Sequence, residues 1–349
     1  MTYREIQIYD NQNMYNILKN FPMQVGEAYE ISDSINPPSD FKSADKIIIS
    51  GLGGSAIGGD LLRSYLWYNM KIPVYVNRTY SLPGFANENT LVIISSYSGN
   101  TEESIAAYED AKTRNSKIAC LTSGGDLLTL AVNENRFCIR IPKGYQPRSA
   151  LAFSFFPLLV MMGKLGFVED MLPLVLKVKN NLVPKSELYS FPESENNSAL
   201  NLARHLEGKL PVIYSSGDLL DAVNLRWRCQ LNENAKTLAY GNLLPEMNHN
   251  EIVGWQQLPD LMKKMAVISM TDKEDNLRIR RRMEITLELI SSLRGILIEV
   301  QGEGGSRLER IFDLIHLGDW ISFYLAILYK EDPTPVERIN ILKNKLAEN

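Results

Sequence analysis

The sequence predicts an α/β protein made of two doubly wound domains, each a mainly parallel sheet with helices on both faces. Chain length is the first reason: 349 residues exceed one ordinary core and suit two domains of α/β size. The second is a recurring pattern of short, β-branched apolar runs separated by stretches long enough for helices, which implies parallel strands joined by crossovers. Third, two of these runs end in loops rich in Gly or Ser that lead straight into helix-like sequence, where such sheets bind anions.

Residues 1 to 40 read as a helical lead-in that stops at Ile35-Asn36-Pro37-Pro38, because proline cannot continue a helix. Strand-like runs follow at 46 to 50, 73 to 77, 90 to 95, 117 to 122 and 137 to 141. With the lead-in they make a first domain of residues 1–165. Leu151 to Met162 has the length of a buried core helix, and no apolar run reaches the ~18 to 20 residues that span a bilayer. Asp170 to Leu206 is mostly helical in pattern, apart from a loop around Pro184 and the polar stretch Ser190 to Asn197. A second strand series, Pro211 to Tyr214, Thr237 to Tyr240, Ala266 to Ile268 and Ile296 to Val300, belongs to a second domain of residues 166–349. Gly302-Glu303-Gly304-Gly305-Ser306 then leads into a long amphipathic helix from Leu308 to Tyr329, broken by Asp332-Pro333-Thr334-Pro335. In the last helix, Val336 to Leu346, the apolar positions Val336, Ile339, Leu342 and Leu346 would dock one face and leave Arg338, Lys343 and Lys345 on the other.

Composition narrows the partners. Apolar residues make up 45 % and charged residues 22 %, close to the globular average. A net charge of −4 argues against a nucleic acid or an anionic membrane as the main partner, so small soluble ligands are the expectation. The N-terminus lacks the basic start and apolar core of a signal peptide. Cys120, Cys138 and Cys229 are scattered and outside any metal-ligand spacing, which fits a reducing cytoplasm with neither disulfide nor zinc.

The two loops carry the chemistry. Gly51-Leu52-Gly53-Gly54-Ser55 follows Ile47-Ile48-Ile49, and Ser95-Ser96-Tyr97-Ser98-Gly99-Asn100-Thr101 follows Leu91 to Ile94. Glycine lets the backbone approach a phosphate, helix N-termini carry partial positive charge, and the hydroxyls of Ser55, Ser96, Ser98 and Thr101 can donate to its oxygens. With Gly54 these residues form a candidate phosphate cradle of mostly neutral donors. Gly51-x-Gly53 could also open a dinucleotide fingerprint, but the acid that would hold the ribose is replaced by Val76-Asn77-Arg78-Thr79. Arg78 would suit a 2′-phosphate, which leaves an NADP-dependent oxidoreductase as one alternative. No Gly-Lys-Ser/Thr closes either loop, so a Walker-type site is ruled out.

Four segments in order carry a resemblance: the two loops, Pro147-Arg148-Ser149-Ala150, and Glu246-Met247-Asn248-His249-Asn250-Glu251. Together they resemble the sugar isomerase (SIS) superfamily, and more narrowly the bifunctional phosphoglucose/phosphomannose isomerases of archaea and some bacteria. The likeness runs from about residue 45 to the Asp332-Pro333-Thr334-Pro335 and Leu342-Lys343 segments. It implies two SIS-type domains with a site at their junction and at a dimer interface, and no cofactor or metal. The substrates would be hexose 6-phosphates, glucose and mannose 6-phosphate being interconverted with fructose 6-phosphate.

Aldose–ketose interconversion needs a base between carbons 1 and 2, a group that moves a proton at the ring oxygen, and a cation for the enediolate. Glu233 ends the helix-like stretch Asn224 to Asn234, and a helix C-terminus disfavours negative charge, which helps raise a carboxylate's pKa. The resemblance makes it the base, since the family places that Glu sixteen positions before its ring-opening His, the spacing of Glu233 to His249. His249 sits in a polar segment after a strand and, by the resemblance, reaches the neighbouring subunit's site in an obligate dimer; His205 and His316 lie in helical patterns and are read as structural or exposed. Arg148 matches the family's enediolate-stabilising Arg, and Lys343 its near-C-terminal Lys. Lys345 points to a different helix face, and only one of the two can turn inward. The role of Thr334, the hydroxyl near Lys343, stays open. A rival from another class is a non-catalytic sugar-phosphate sensor, although the segment before residue 45 is too short for the DNA-binding domain of such regulators.

Overall fold

The computed structural model describes residues 1–348. Helices α1 (Tyr3–Tyr9), α2 (Met14–Lys19) and α3 (Phe21–Ser34) precede β1 (Lys46–Ser50), α4 (Gly53–Tyr65), β2 (Val74–Asn77) and β3 (Thr90–Ser95). Next come α5 (Glu102–Thr113), β4 (Lys117–Thr122), α6 (Gly125–Asn133), β5 (Phe137–Arg140), α7 (Leu151–Lys164), α8 (Leu172–Tyr189) and α9 (Ser198–Leu206). The second series is β6 (Leu210–Ser216), α10 (Asp221–Glu233), β7 (Tyr240–Leu244), the one-turn helices α11 (Glu251–Gly254) and α12 (Pro259–Met262), and β8 (Met265–Thr271). It closes with α13 (Leu277–Leu289), β9 (Ile296–Gln301), α14 (Arg307–Leu328) and α15 (Glu337–Ala347).

By packing, the chain divides within α8 into a first unit, Phe21–Asn181, and a second made of Met1–Asn20 with everything from Leu182 onward. The first twenty residues, expected with the first sheet, therefore pack with the second. Ser186 donates its hydroxyl to Lys19 O at 2.7 Å, and the Tyr15 ring meets Trp320 edge-on at 5.5 Å.

In the first unit five parallel strands are ordered β2-β1-β3-β4-β5. All six residues of central β3 are buried, as expected of a strand covered on both faces. One face carries a core of Ile48, Val92, Ile94 and Ile118 against Tyr108, Ala111 and Leu127 of α5 and α6. On the other, Gly59 of α4 lies so close to Ile49 that a Cβ would stand 2.8 Å from its side chain. Helix α7 is buried along Leu151 to Met162, as its uninterrupted apolar sequence requires.

The second unit repeats the plan with four parallel strands, β7-β6-β8-β9. Strand β7 runs Tyr240–Leu244, whereas Thr237 to Tyr240 was expected. Thr237 and Ala239 instead bond back to α10, their N–H groups donating to Leu231 O at 3.2 Å and Asn232 Oδ1 at 3.1 Å. Helix α10 also begins three residues before the expected Asn224.

Two further expectations need correction. Helix α14 is long and apolar enough, by length and composition, to cross a membrane, and 94 % of its apolar window is buried. Its charges hid this in the sequence, and in the fold Arg310 pairs with Asp272 at 2.7 Å and Asp319 with Arg226 at 2.7 Å. Helix α15 does not dock its apolar stripe among the described residues: Ile339, Leu342 and Leu346 are exposed by 41 %, 59 % and 59 %.

Candidate active site

A doubly wound sheet binds ligands where its strand order reverses, at the carboxyl ends of the two strands flanking that point. In the first unit these are β1 and β3, the strands that feed the Gly-rich and the Ser-rich loops. The loops bear on each other. Ser55 Oγ accepts the Tyr97 N–H at 3.0 Å, which leaves its own proton to donate, and a Cβ on Gly51 would lie 2.5 Å from Ser95 O. Ser96 Oγ, almost fully buried, lies 2.9 Å from Thr101 Oγ1 and accepts the Gly99 N–H at 3.2 Å. Ser98 is exposed, its Oγ accepting the Asn100 N–H at 3.3 Å. Among the described residues no side chain caps α4 or α5, whose N-cap residues are Leu52 and Thr101. Two helix N-termini thus end uncapped at one switch point, the positive potential of α5 being partly offset by Glu102 and Glu103 in its first turn. That is where a dianion is best stabilised without a full cation.

Arg148 joins this cradle. It lies in the 3₁₀ turn Pro147–Ser149, just before α7, and is only 4 % exposed. Gly54 abuts the same turn: a Cβ there would come 2.5 Å from Pro147 C and 2.7 Å from Arg148 N. Absence of a side chain at Gly54 therefore brings the phosphate loop and Arg148 together. Tyr97 of the Ser-rich loop ties in the approach to Arg148. Its hydroxyl donates to Pro142 O and accepts the Tyr145 N–H, each at 2.9 Å.

In the second unit Glu233 is the half-buried last residue of α10. It lines a cleft of about 580 Å³ with Asn232, Lys236, Asp332, Pro335 and Arg338. The carbonyls at this helix end, expected to act on Glu233 through their negative potential, are capped. Lys236, at φ 54°, donates from Nζ to Glu233 O at 2.9 Å and Asn234 O at 3.2 Å, and to Asp332 O at 2.8 Å and Pro333 O at 3.3 Å. One ammonium thereby staples the end of α10 to the turn before α15. Behind it, α10 is pinned to α14 by Arg226 and Gln230 on the Asp319 carboxylate at 2.7 and 2.8 Å, and by Asn234 on Ser322 at 3.0 Å. No signal in the sequence distinguishes these polar pins from surface residues of a helix.

Comparison with known proteins gives the family. Residues 40–165 match the SIS domain family, and residues 195–346 match the bacterial phospho-glucose isomerase C-terminal SIS domain. A bifunctional phosphoglucose/phosphomannose isomerase of Caldicellulosiruptor bescii is 45 % identical over 340 residues, covering 96 % of this chain and 99 % of the relative. The chain belongs to the bifunctional phosphoglucose/phosphomannose isomerase family. A member from Aquifex aeolicus is 36 % identical over 97 % of this chain and 99 % of its own. The fold is shared more widely. The C-terminal domain of glucosamine-fructose-6-phosphate aminotransferase from Francisella tularensis superposes with a TM-score of 0.72 at 15 % identity, over 92 % of this chain and 98 % of that one.

The remaining candidates of this family member lie as follows. His249 is exposed at the end of the 3₁₀ turn Glu246–His249 that follows β7. His205 is exposed, and His316 is fully buried, accepting the Trp320 indole N–H at 3.1 Å. Lys343 and Lys345 are both exposed on α15, and neither lines the Glu233 cleft. Thr334 is buried, its N–H bonded to Asp332 Oδ1 at 2.9 Å. Arg78, considered for a 2′-phosphate, is instead ion-paired with Asp60 of α4, so the NADP reading loses its one cation. The switch point of the second sheet, between β6 and β8, is followed by Asp218, Asp272 and Asp275 where the first offers hydroxyls. Burial pushes the Asp275 carboxyl up, opposed by hydrogen bonds from the Asp272 N–H and the Ser216 side chain. Asp272 is held there by Arg310 at 2.7 Å, so this end of the sheet is occupied by an ion pair. Among the described residues no group of three or more His, Cys, Asp and Glu side chains could hold a metal.

Proposed function

We propose that this chain interconverts glucose 6-phosphate and mannose 6-phosphate with fructose 6-phosphate through an enediolate. The observation that carries the reading is the meeting of two uncapped helix N-termini, the Ser55, Ser96 and Thr101 hydroxyls and buried Arg148 at one switch point. Gly54, Ser55, Ser96, Ser98 and Thr101 hold the 6-phosphate. His249, acting in the site of a second copy, moves the proton that opens the ring at its oxygen, and Lys343 assists. Glu233 then takes the carbon 2 proton while charge passes to the carbon 1 oxygen; the carbon 2 hydroxyl proton moves to that oxygen, and Glu233 returns its proton to carbon 1 to leave the carbon 2 ketone. Arg148, fixed and desolvated, stabilises the charge on the enediolate oxygens more than it does the substrate. Full-length protein in EDTA, given each aldose phosphate separately, is expected to form fructose 6-phosphate from both. Binding of either sugar phosphate with no turnover would replace this reading with that of a sensor.

A further inference from the structure

Arg148 lies in a turn of three residues, Pro147–Ser149, so where its guanidinium acts depends in part on what holds the segment leading into that turn. The chain reaches it from β5 through Ile141, Pro142, Lys143 and Gly144, and Gly144 has φ 99°. Main-chain bonding within the turn is local: Ser149 N–H donates to Gln146 O at 2.8 Å and Ala150 N–H to Pro147 O at 3.2 Å. Beside Lys143 lying against Gly124 and the Tyr145 ring on Phe153, Tyr97 ties the approach to the cradle. Tyr97 takes both a donor and an acceptor of the 142–145 segment on its hydroxyl, while its own N–H is bound by Ser55 Oγ at 3.0 Å. Its carbonyl accepts from Ser123 N and Ser123 Oγ at 3.0 and 2.7 Å, which anchors the Ser-rich loop in turn. Gly54 touches the far end of the same segment at Pro147 and Arg148. Of these contacts, the two made by the Tyr97 hydroxyl are the ones that removal of a single oxygen abolishes.

We propose that Tyr97 is a positioning residue that sets Arg148 relative to the phosphate loops, an inference resting on the proposed role of Arg148 at the enediolate. Tyr97 touches neither the phosphate nor the reacting carbons in this account. Its hydroxyl fixes the turn from which the guanidinium acts, and a misplacement of about 1 Å costs on the order of 100-fold in rate.

Tyr97→Phe keeps the ring and removes only the hydroxyl. It is expected to lower kcat about 10-fold or more, with the affinity for inorganic phosphate, which probes the cradle alone, held within about twofold. Arg148→Ala serves as the second background. If Tyr97 works through Arg148, the Tyr97→Phe change is nearly silent there, whereas independent effects multiply. Wild-type kcat in Tyr97→Phe, an equal loss in both backgrounds, or a matching loss of phosphate affinity would each overturn the inference. Wild-type turnover in Arg148→Ala would remove the role of Arg148 itself, and is read separately from any effect of Tyr97.

Discussion

Gly54 and His316 show how a single position acts through its surroundings. At Gly54 the backbone of Pro147 and Arg148 occupies the volume a methyl group would need, which makes the glycine a spacer between phosphate loop and cation rather than a flexible joint. His316 works through desolvation. Burial pushes its imidazole down to about 3 from 6.5, and protonation would also destroy the lone pair that accepts the Trp320 N–H. Between those two values the unfolded chain binds a proton that the folded chain does not, so unfolding takes one up and stability falls as pH falls. The slope from this one group approaches 1.4 kcal/mol per pH unit, about the free energy of one pKa unit. Denaturation of wild type and His316→Gln at pH 7, 5 and 4 is expected to show a stability difference that shrinks steadily on acidification. A difference constant across that range would mean that the imidazole titrates in the fold as it does in the unfolded chain.

At the scale of elements, α10 decides where Glu233 stands. An apolar interface would let the helix slide or rotate by small amounts at little cost, whereas the Asp319 carboxylate accepts from Arg226 and Gln230 in one geometry only. Both members of the ion pair have side chains 3 % exposed, so removing one leaves a charge in a medium that cannot solvate it. Asp319→Ala is expected to destabilise the protein by about 3–5 kcal/mol, read from urea unfolding, while Asp319→Asn costs less because one Arg226 contact survives. Equal and small effects of the two changes would place the pair in solvent. These pins also mark where sequence reading stops. The central strands were legible because parallel strands buried on both faces are continuous apolar runs, as Leu91 to Ile94 is. Edge strand β7 was displaced because Tyr240-Gly241-Asn242 has a weak strand signature and Thr237 to Ala239 a strong one, yet those three residues serve the end of α10. Helix α14 looked amphipathic because Arg310 and Asp319 read as surface charges until their buried partners, distant in sequence, are known.

For the molecule as a whole, the informative fact is an asymmetry between two similar sheets. Each offers a switch point, and the first is lined by hydroxyls where the second has Asp218, Asp275 and an Asp272 paired with Arg310. The hydroxyl-rich loops were legible from sequence because the residues of each cradle loop are contiguous. The burial of Arg148 and the bracing by Tyr97 were not, because both depend on which backbone passes Gly54 and which carbonyls face a phenol. Lys236 illustrates the same limit, since a lysine three residues beyond Glu233 became interpretable only when its four carbonyl partners were seen. Among the described residues the apolar stripe of α15 stays exposed, an expected contact that is not made. The central claim is that one carboxylate moves the proton for both sugars. Its most direct test is Glu233→Gln, an isosteric change that removes the base and leaves the cradle. Interconversion of glucose 6-phosphate and of mannose 6-phosphate with fructose 6-phosphate should fall together by at least about 100-fold, within the usual contribution of a general base, while affinity for inorganic phosphate is kept. Turnover of either sugar at the wild-type rate would contradict the account and assign the proton transfer to another group.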